Sequence, residues 1–333
     1  MEAYPIKFTP ILKEKIWGGE KLSEILNKKS DSKNIGESWE ISGVEDNISI
    51  VSNGLYKGKS LNTLIKNHKS EFLGKENIAT FGENFPLLIK FLDAKTNLSV
   101  QVHPDDEMAS ANHNSFGKTE MWYIMDSDKN AEIVLGLKNH DTDKSLLGNI
   151  NASNVDSIFN TEKVEQGDSY FIPAGKIHAI GAGVLAAEIQ QTSDITYRVY
   201  DWDRKDDSGE QRELHTDLAQ KATKVFASNG KSDYQLEQDK TSNLVDCDFF
   251  TTNIFEVKGP QKRDYKSLDS FIIYMCVEGT VEIIVNNNTE FVAMGETVLV
   301  PANSKDVIFN SQGAKILEIY IGSKDSEFRK LAS

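Results

Sequence analysis

An all-β chain of two related antiparallel sandwich or barrel domains is predicted by three observations. Short segments rich in Val, Ile, Phe and Tyr alternate in polarity along much of the 333 residues, with polar or Gly-containing turns between them. Helical patterns are few and short. One segment also recurs: "GDSYFIPAGKIH", Gly167 to His178, has the layout of "GETVLVPANSKD", Gly295 to Asp306. Both run Gly, acid, four mostly apolar residues, Pro-Ala, a turn, and a polar residue at the twelfth position, which implies two β-domains of one ancestry.

The first half holds the strand-like segments "SWEISGV", "LLIKFLDA", "LSVQVH", "MWYIMD", "AEIVLGL" and "SYFIPA". The second holds "FFTTNIFEV", "FIIYMCVEG", "VEIIV", "ETVLVPA" and "AKILEIYIG". "SLNTLIKNHKSEFLG" reads as a helix capped at Ser60, and "TDLAQKATKVFAS" as another after His215. The polar stretch from Asp203 to Lys240 is the expected interdomain connection, dividing the chain into domains 1–237 and 238–333.

A formal charge of -14 argues against a nucleic-acid or anionic-membrane surface, since both need clustered Lys and Arg. No apolar run reaches membrane-spanning length, and "MEAYPIKFTPILKEKIWGG" has no apolar stretch behind a basic head, so a cytoplasmic protein is expected. Two cysteines, Cys247 and Cys276, are too few for a disulfide framework and read as buried thiols.

The stretch "LSVQVHPDD", Leu98 to Asp106, carries the first chemical signal. Side chains alternate on a strand, so Ser99, Gln101 and His103 share one face while Leu98, Val100 and Val102 take the other. A solvated strand edge has the same pattern. Asp105 and Asp106 read as caps or terminators of a turn after Pro104. His103 or His178 alone would pass for a core or turn histidine satisfied by backbone carbonyls. His68, His113, His140 and His215 read as surface or helix residues. The mixed-charge runs "KNHKSE" and "DRKDDSGE" are assigned no role.

The layout Gly-acid-x4-Pro-x-Gly-x2-His, completed by Gly175 and His178, resembles the cupin signature. Cupin ligands come also from a preceding strand pair, for which "QVH" and "GKTEMWY" are the donors here. The resemblance implies cupin barrels, of the double-stranded β-helix or jelly-roll kind, with a few short helices. Position twelve is His178 in the first copy and Asp306 in the second, so only the first copy is equipped for metal chemistry. "VQVHPDD", "GKTEMWY", "FIPAGKIHA", "KIWGG" and "GESWEIS" together resemble the type I mannose-6-phosphate isomerase family in its shorter bacterial form. That resemblance implies one zinc ion on Gln101, His103, Glu120 and His178. It puts Ser99, Lys118 and Arg198 at the substrate, with Trp17 and Glu37 from the two N-terminal motifs, and Glu188 near the metal. Arg198, Glu188 and Lys118 are the implied catalytic residues. The large helical insertion of longer members is absent, with only Asn139 to Glu165 able to hold one.

The chemistry asks for these residue types. Interconverting mannose 6-phosphate and fructose 6-phosphate moves a proton between C2 and C1 through an enediol, with negative charge developing on the sugar oxygens. A zinc ion stabilises that charge as a Lewis acid. Glu188, tuned upward by burial, would carry the proton, with Lys118 or a metal-bound water as alternatives. Arg198 offers a bidentate fork for phosphate, with the Ser99 hydroxyl in support. The expected partner is a small hexose phosphate, not nucleic acid or membrane, and the chain is expected to be a monomer or weak homo-oligomer. Another metal-dependent cupin enzyme, whether a different sugar-phosphate isomerase or an oxygenase, and a non-catalytic sugar-binding cupin remain open. A glutamine at position 101 in place of another histidine points away from iron oxygenase chemistry.

Overall fold

The alternating segments pair into antiparallel sheets in a computed structural model, which describes residues 1–138, 144–206, 208–238 and 240–322. Two compact units emerge. One comprises Leu12–Trp39 and Leu88–Lys231; the other comprises Met1–Ile11, Glu40–Leu87 and the chain from Ser232 onward. The last crossing falls inside the polar stretch expected to connect the domains. Two N-terminal stretches, however, belong with the C-terminal unit.

Eleven strands build the first unit and its margins: β1 (Ile11–Gly19), β2 (Ile35–Ile41), β3 (Leu87–Ala94), β4 (Val100–Val102), β5 (Glu120–Ser127), β6 (Glu132–Leu137), β7 (Phe159–Lys163), β8 (Ser169–Ile172), β9 (His178–Ile180), β10 (Val184–Gln191) and β11 (Tyr197–Tyr200). They form one sheet in the order β1-β2-β3-β10-β5-β8 and another in the order β11-β4-β9-β6-β7. Apolar side chains from both sheets, among them Leu92, Trp122, Ile133, Ile180 and Ala186, share one buried core. This is how a sheet hides an apolar face while leaving alternate residues for other work.

The "KIWGG" motif has a packing reason. A Cβ on Gly18 would lie 2.4 Å from the Asn34 carbonyl oxygen and 2.5 Å from the Gly36 nitrogen, so only glycine lets β1 run this close to the neighbouring backbone.

The other unit is built on β12 (Thr241–Asp246), β13 (Thr251–Asp264), β14 (Ile272–Val285), β15 (Asn288–Ala293), β16 (Thr297–Val300) and β17 (Asp306–Tyr320). Their order is β12-β13-β17-β14-β15, with β16 also on β14. The repeat seen in the sequence reappears as matching backbone geometry. Gly167 N–H donates to Ile124 and Gly295 N–H to Cys276; Ile124 N–H donates to Asp168 and Cys276 N–H to Glu296. Gly167 and Gly295 both take positive φ, 96° and 85°. At position twelve His178 is buried, whereas Asp306 is partly exposed and pairs with Lys262 at 3.3 Å.

The helices are shorter than the sequence suggests. Ser60 caps Leu61–His68 as expected, its hydroxyl accepting from Thr63 N–H, but Lys69 turns to φ 43° and breaks the run before Ser70–Leu73. After His215 only Thr216–Ala222 is helical, and the chain leaves it extended at Thr223. Asp105 caps Asp106–His113 by accepting from Met108 N–H at 3.0 Å, the capping role read from the sequence. Between Asn139 and Glu165 the described residues hold a 3-10 turn, one short helix and β7. His68 and His113 end their helices and His215 precedes the third, while His140 lies outside the described residues. Cys276 is buried, but Cys247 is only half-buried, beside the turn at Phe250.

Candidate active site

Strand pairing assembles the site from both sheets of the first unit. On one, Gln101 of β4 lies between Arg198 of β11 and His178 of β9 in register. On the other, Glu120 opens β5, and Glu188 of β10 stands opposite Trp122. The alternation read from "LSVQVH" holds from Ser99 onward but not at Leu98, which lines the cavity too: Val100 and Val102 are in the core, while Ser99 and Gln101 line a cavity of about 300 Å3 and His103 joins the buried cluster beside it.

His103, Glu120 and His178 bring ligand-capable atoms within 4.8 Å of one another and form a group able to hold a metal ion. All three are buried. His103 Nδ1–H donates to the Ile195 carbonyl at 2.9 Å and His178 Nδ1–H to the Lys176 carbonyl at 2.8 Å. Those bonds set both tautomers, so both Nε2 lone pairs face inward, 3.1 Å apart. Burial, with Lys118 adding to it, pushes His103 down and His178 to about 3, keeping both rings neutral. Glu120 lies 3.3 Å from His178 Nε2 and 3.5 Å from His103 Nε2. Burial lifts its carboxyl to about 7 against the pull of Lys118.

Lys118 is deeper than a loop cation at the substrate alone would be. It is 3% exposed, and its Nζ is 2.9 Å from His103 Nε2 and 2.7 Å from Glu120 Oε2 while it also lines the cavity. The contact to Glu120 has ion-pair distance without hydrogen-bond alignment, so both Glu120 oxygens are buried with no hydrogen-bond partner among the described residues. Gln101 reaches the cluster through its amide: Nε2 donates to His178 Nε2 at 3.4 Å, and Oε1 accepts from the Ser99 hydroxyl at 3.3 Å.

Glu188 corrects one expectation. Burial alone would raise its carboxyl, but Lys90 at 3.1 Å, together with Lys118, outweighs burial and holds it below the usual value. Trp122 Nε1–H donates to its other oxygen at 3.0 Å. The signal for Lys90 in the sequence is a lone lysine inside the wholly buried run "LLIKFLDA", because a buried ammonium requires partners. Lys90 is one rung of a ladder across four neighbouring strands. Lys15 of β1 pairs with Glu37 at 3.1 Å, Glu37 of β2 lies 4.0 Å from Lys90 of β3, and Lys90 reaches Glu188 of β10. Trp39 Nε1–H donates to Glu37 at 2.6 Å. Burial opposes ionisation of Glu37, yet Lys90 and Lys15 bring it down to about 2. Trp17, Glu37 and Trp39 all line the cavity, Trp17 with part of its ring in the core.

Arg198 reaches the cavity from β11. Its Nη1–H donates to the Glu213 carbonyl at 2.7 Å, and its buried Nε has no hydrogen-bond partner among the described residues. Thus Ser99, Gln101, Lys118, Glu188, Arg198, Trp17 and Glu37 share one cavity, with His103, Glu120 and His178 at its buried edge.

Residues 6–144 match the family model described as phosphomannose isomerase type I, catalytic domain, and residues 240–320 match that described as mannose-6-phosphate isomerase, cupin domain. The all-β architecture is therefore the cupin one. Mannose-6-phosphate isomerase ManA of Bacillus subtilis is 37% identical over 305 residues, covering 90% of this chain and 94% of that one. The mannose-6-phosphate isomerase of Streptococcus mutans is 34% identical over 92% of this chain and 96% of its own. The crystal structure of the mannose 6-phosphate isomerase from Bacillus subtilis superposes with a TM-score of 0.84 at 34% identity, covering 95% of this chain and 99% of that chain. With likeness of that order along nearly its whole length, the chain belongs to the type I phosphomannose isomerase family.

Proposed function

We propose that this chain reversibly interconverts mannose 6-phosphate and fructose 6-phosphate, with one zinc ion held by Gln101, His103, Glu120 and His178. The observation that carries the metal is the donor set. Two imidazole nitrogens 3.1 Å apart with their lone pairs turned inward, beside a carboxylate whose buried oxygens lack hydrogen bonds, form a convergent N and O set of the kind zinc accepts, with Lys118 Nζ the cation nearest to it. Gln101 offers an amide oxygen to the same point once its amide is turned over. When bound, the ion supplies Lewis-acid stabilisation of charge developing on the sugar oxygens.

The chain's own residues supply the rest. Isomerisation removes a proton from C2 and returns one to C1 through an enediol. Glu188 faces the cavity, is held ionised by Lys90, and is the residue we assign to that proton. Lys118 donates to a sugar oxygen at the reacting end, while Arg198 and the Ser99 hydroxyl take the phosphate. Trp17 and Glu37 line the wall along the sugar. In this reading residues 1–237 carry the zinc and substrate groups, and residues 238–333 form a metal-free structural barrel. A small hexose phosphate is the partner and the cytoplasm the compartment, with the chain acting as a monomer or weak homo-oligomer. Supporting this, the net charge of -14 disfavours polyanions, and no helix among the described residues is long and apolar enough to cross a membrane.

The test is turnover of mannose 6-phosphate by purified protein before and after chelation, with zinc then restored. Activity that is lost and returns with zinc is the expected result. A folded, zinc-loaded protein without turnover would reject the substrate.

A further inference from the structure

The polar stretch read from the sequence as the interdomain connection holds a residue, Arg212, that lines the same cavity as Arg198. Lys205 and Gln211 pair across an isolated antiparallel bridge, and Asp206 closes the turn by accepting from Ser208 and Glu210 N–H groups. The chain then runs back beside β11, where Arg198 donates to the Glu213 carbonyl and His215 N–H to the Arg198 carbonyl at 2.8 Å. Arg212 is thereby brought to the cavity wall. Its guanidinium is fixed by a two-point fork onto Asp201, Nε–H to Oδ2 at 2.8 Å and Nη2–H to Oδ1 at 2.6 Å.

Asp201 also takes Arg204 at 2.6 Å, and Arg204 is further tied to the Asn97 carbonyl at 2.8 Å. One carboxylate thus serves two guanidiniums, while the Nε of Arg198 has no hydrogen-bond partner among the described residues. Two guanidiniums on one cavity, Arg212 braced by Asp201 and Arg198 by the Glu213 carbonyl, suit a dianion. A neutral sugar hydroxyl needs no such surplus.

We propose that Arg212 is a substrate-binding residue that, with Arg198, clamps the phosphate and selects phosphorylated over neutral hexoses. The proposal deepens the hexose-phosphate reading above and rests on it for the substrate.

The experiment compares the zinc-loaded wild type with Arg212→Gln and Arg212→Lys, using mannose 6-phosphate kinetics and inorganic phosphate as a competitive inhibitor. For Arg212→Gln, KM and the phosphate inhibition constant should rise together by about tenfold to a hundredfold, with kcat within about threefold. Arg212→Lys should fall between, since an ammonium keeps the charge and loses the fork. A folded Arg212→Gln with unchanged KM and phosphate inhibition overturns the proposal, as does a fall in kcat alone. If Arg212→Gln does not fold by circular dichroism, the lysine variant decides by the same two constants. Should the wild type turn over no hexose phosphate, the reading of the reaction fails separately. Calorimetric binding of inorganic phosphate to wild type and variant then still decides the role of Arg212, equal affinity overturning it.

Discussion

Lys90 Nζ lies 3.1 Å from Glu188 Oε1, and both side chains are almost sealed from solvent on the adjacent strands β3 and β10. Removing one partner of such a pair leaves an uncompensated buried charge. Lys90→Met should therefore lower stability by about 3–5 kcal/mol in denaturant unfolding. It should also reduce kcat, because Glu188 then favours its protonated form. Lys90→Arg, which keeps the charge, should recover much of both. Wild-type stability in the methionine variant would refute the pairing.

Metal retention separates the buried cluster from the cavity wall. His103→Ala and His178→Ala should lose zinc, measured by elemental analysis after dialysis, together with activity. Arg198→Ala should keep its zinc and lose catalysis or substrate affinity. An Arg198 variant with unchanged kinetics would remove that residue from the site.

Acid should act through Glu37. Its carboxyl is brought from the ordinary 4.5 to about 2, so the native state favours the ionised form. The resulting stability is full above about 4.5 and is lost as pH falls toward 2, an amount on the order of 3 kcal/mol. Urea midpoints measured from pH 6 to pH 2 should fall less steeply for Glu37→Gln than for wild type. Parallel slopes would refute the assignment.

Gly18→Ala should destabilise by about 1–3 kcal/mol, because the added methyl meets backbone rather than a movable side chain. Chemical denaturation measures this directly, and a neutral substitution would mean that β1 can shift.

Native thiols should resist labelling. Burial pushes Cys276 up to about 12 and also raises Cys247, so neither presents much thiolate at neutral pH. Thiol titration of the folded protein should be slow, with half-buried Cys247 reacting before Cys276, and should count both at once after denaturation. A fast native Cys276 would contradict its burial.

The strands and the repeat were legible in the sequence, and the Gly-acid-Pro-Gly-His spacing singled out His178, because period-two alternation and that spacing are local properties. Helix ends were less so: Lys69 adopts a left-handed φ that nothing in "KNHKSE" announces. The carboxyl of Glu188 was expected to shift upward and instead lies below its ordinary value. Burial was foreseeable, while the opposing cation belonged to another strand. Arg212 stands in the polar stretch read as an interdomain connection, and only the return of the chain beside β11 gives it a cavity to face.

By itself, then, the sequence determined that this chain is β-rich and duplicated, while the resemblance of its motifs to a known family pointed to Gln101, His103, Glu120 and His178, of which His103 follows the end of β4. The tertiary structure alone decided that Lys15, Glu37, Lys90 and Glu188 stand side by side across four strands, and that Glu188 is ionised. The physical reason is that strand pairing joins residues far apart in the chain. The charge state of a buried group is then the small difference between desolvation and neighbours that only the fold supplies.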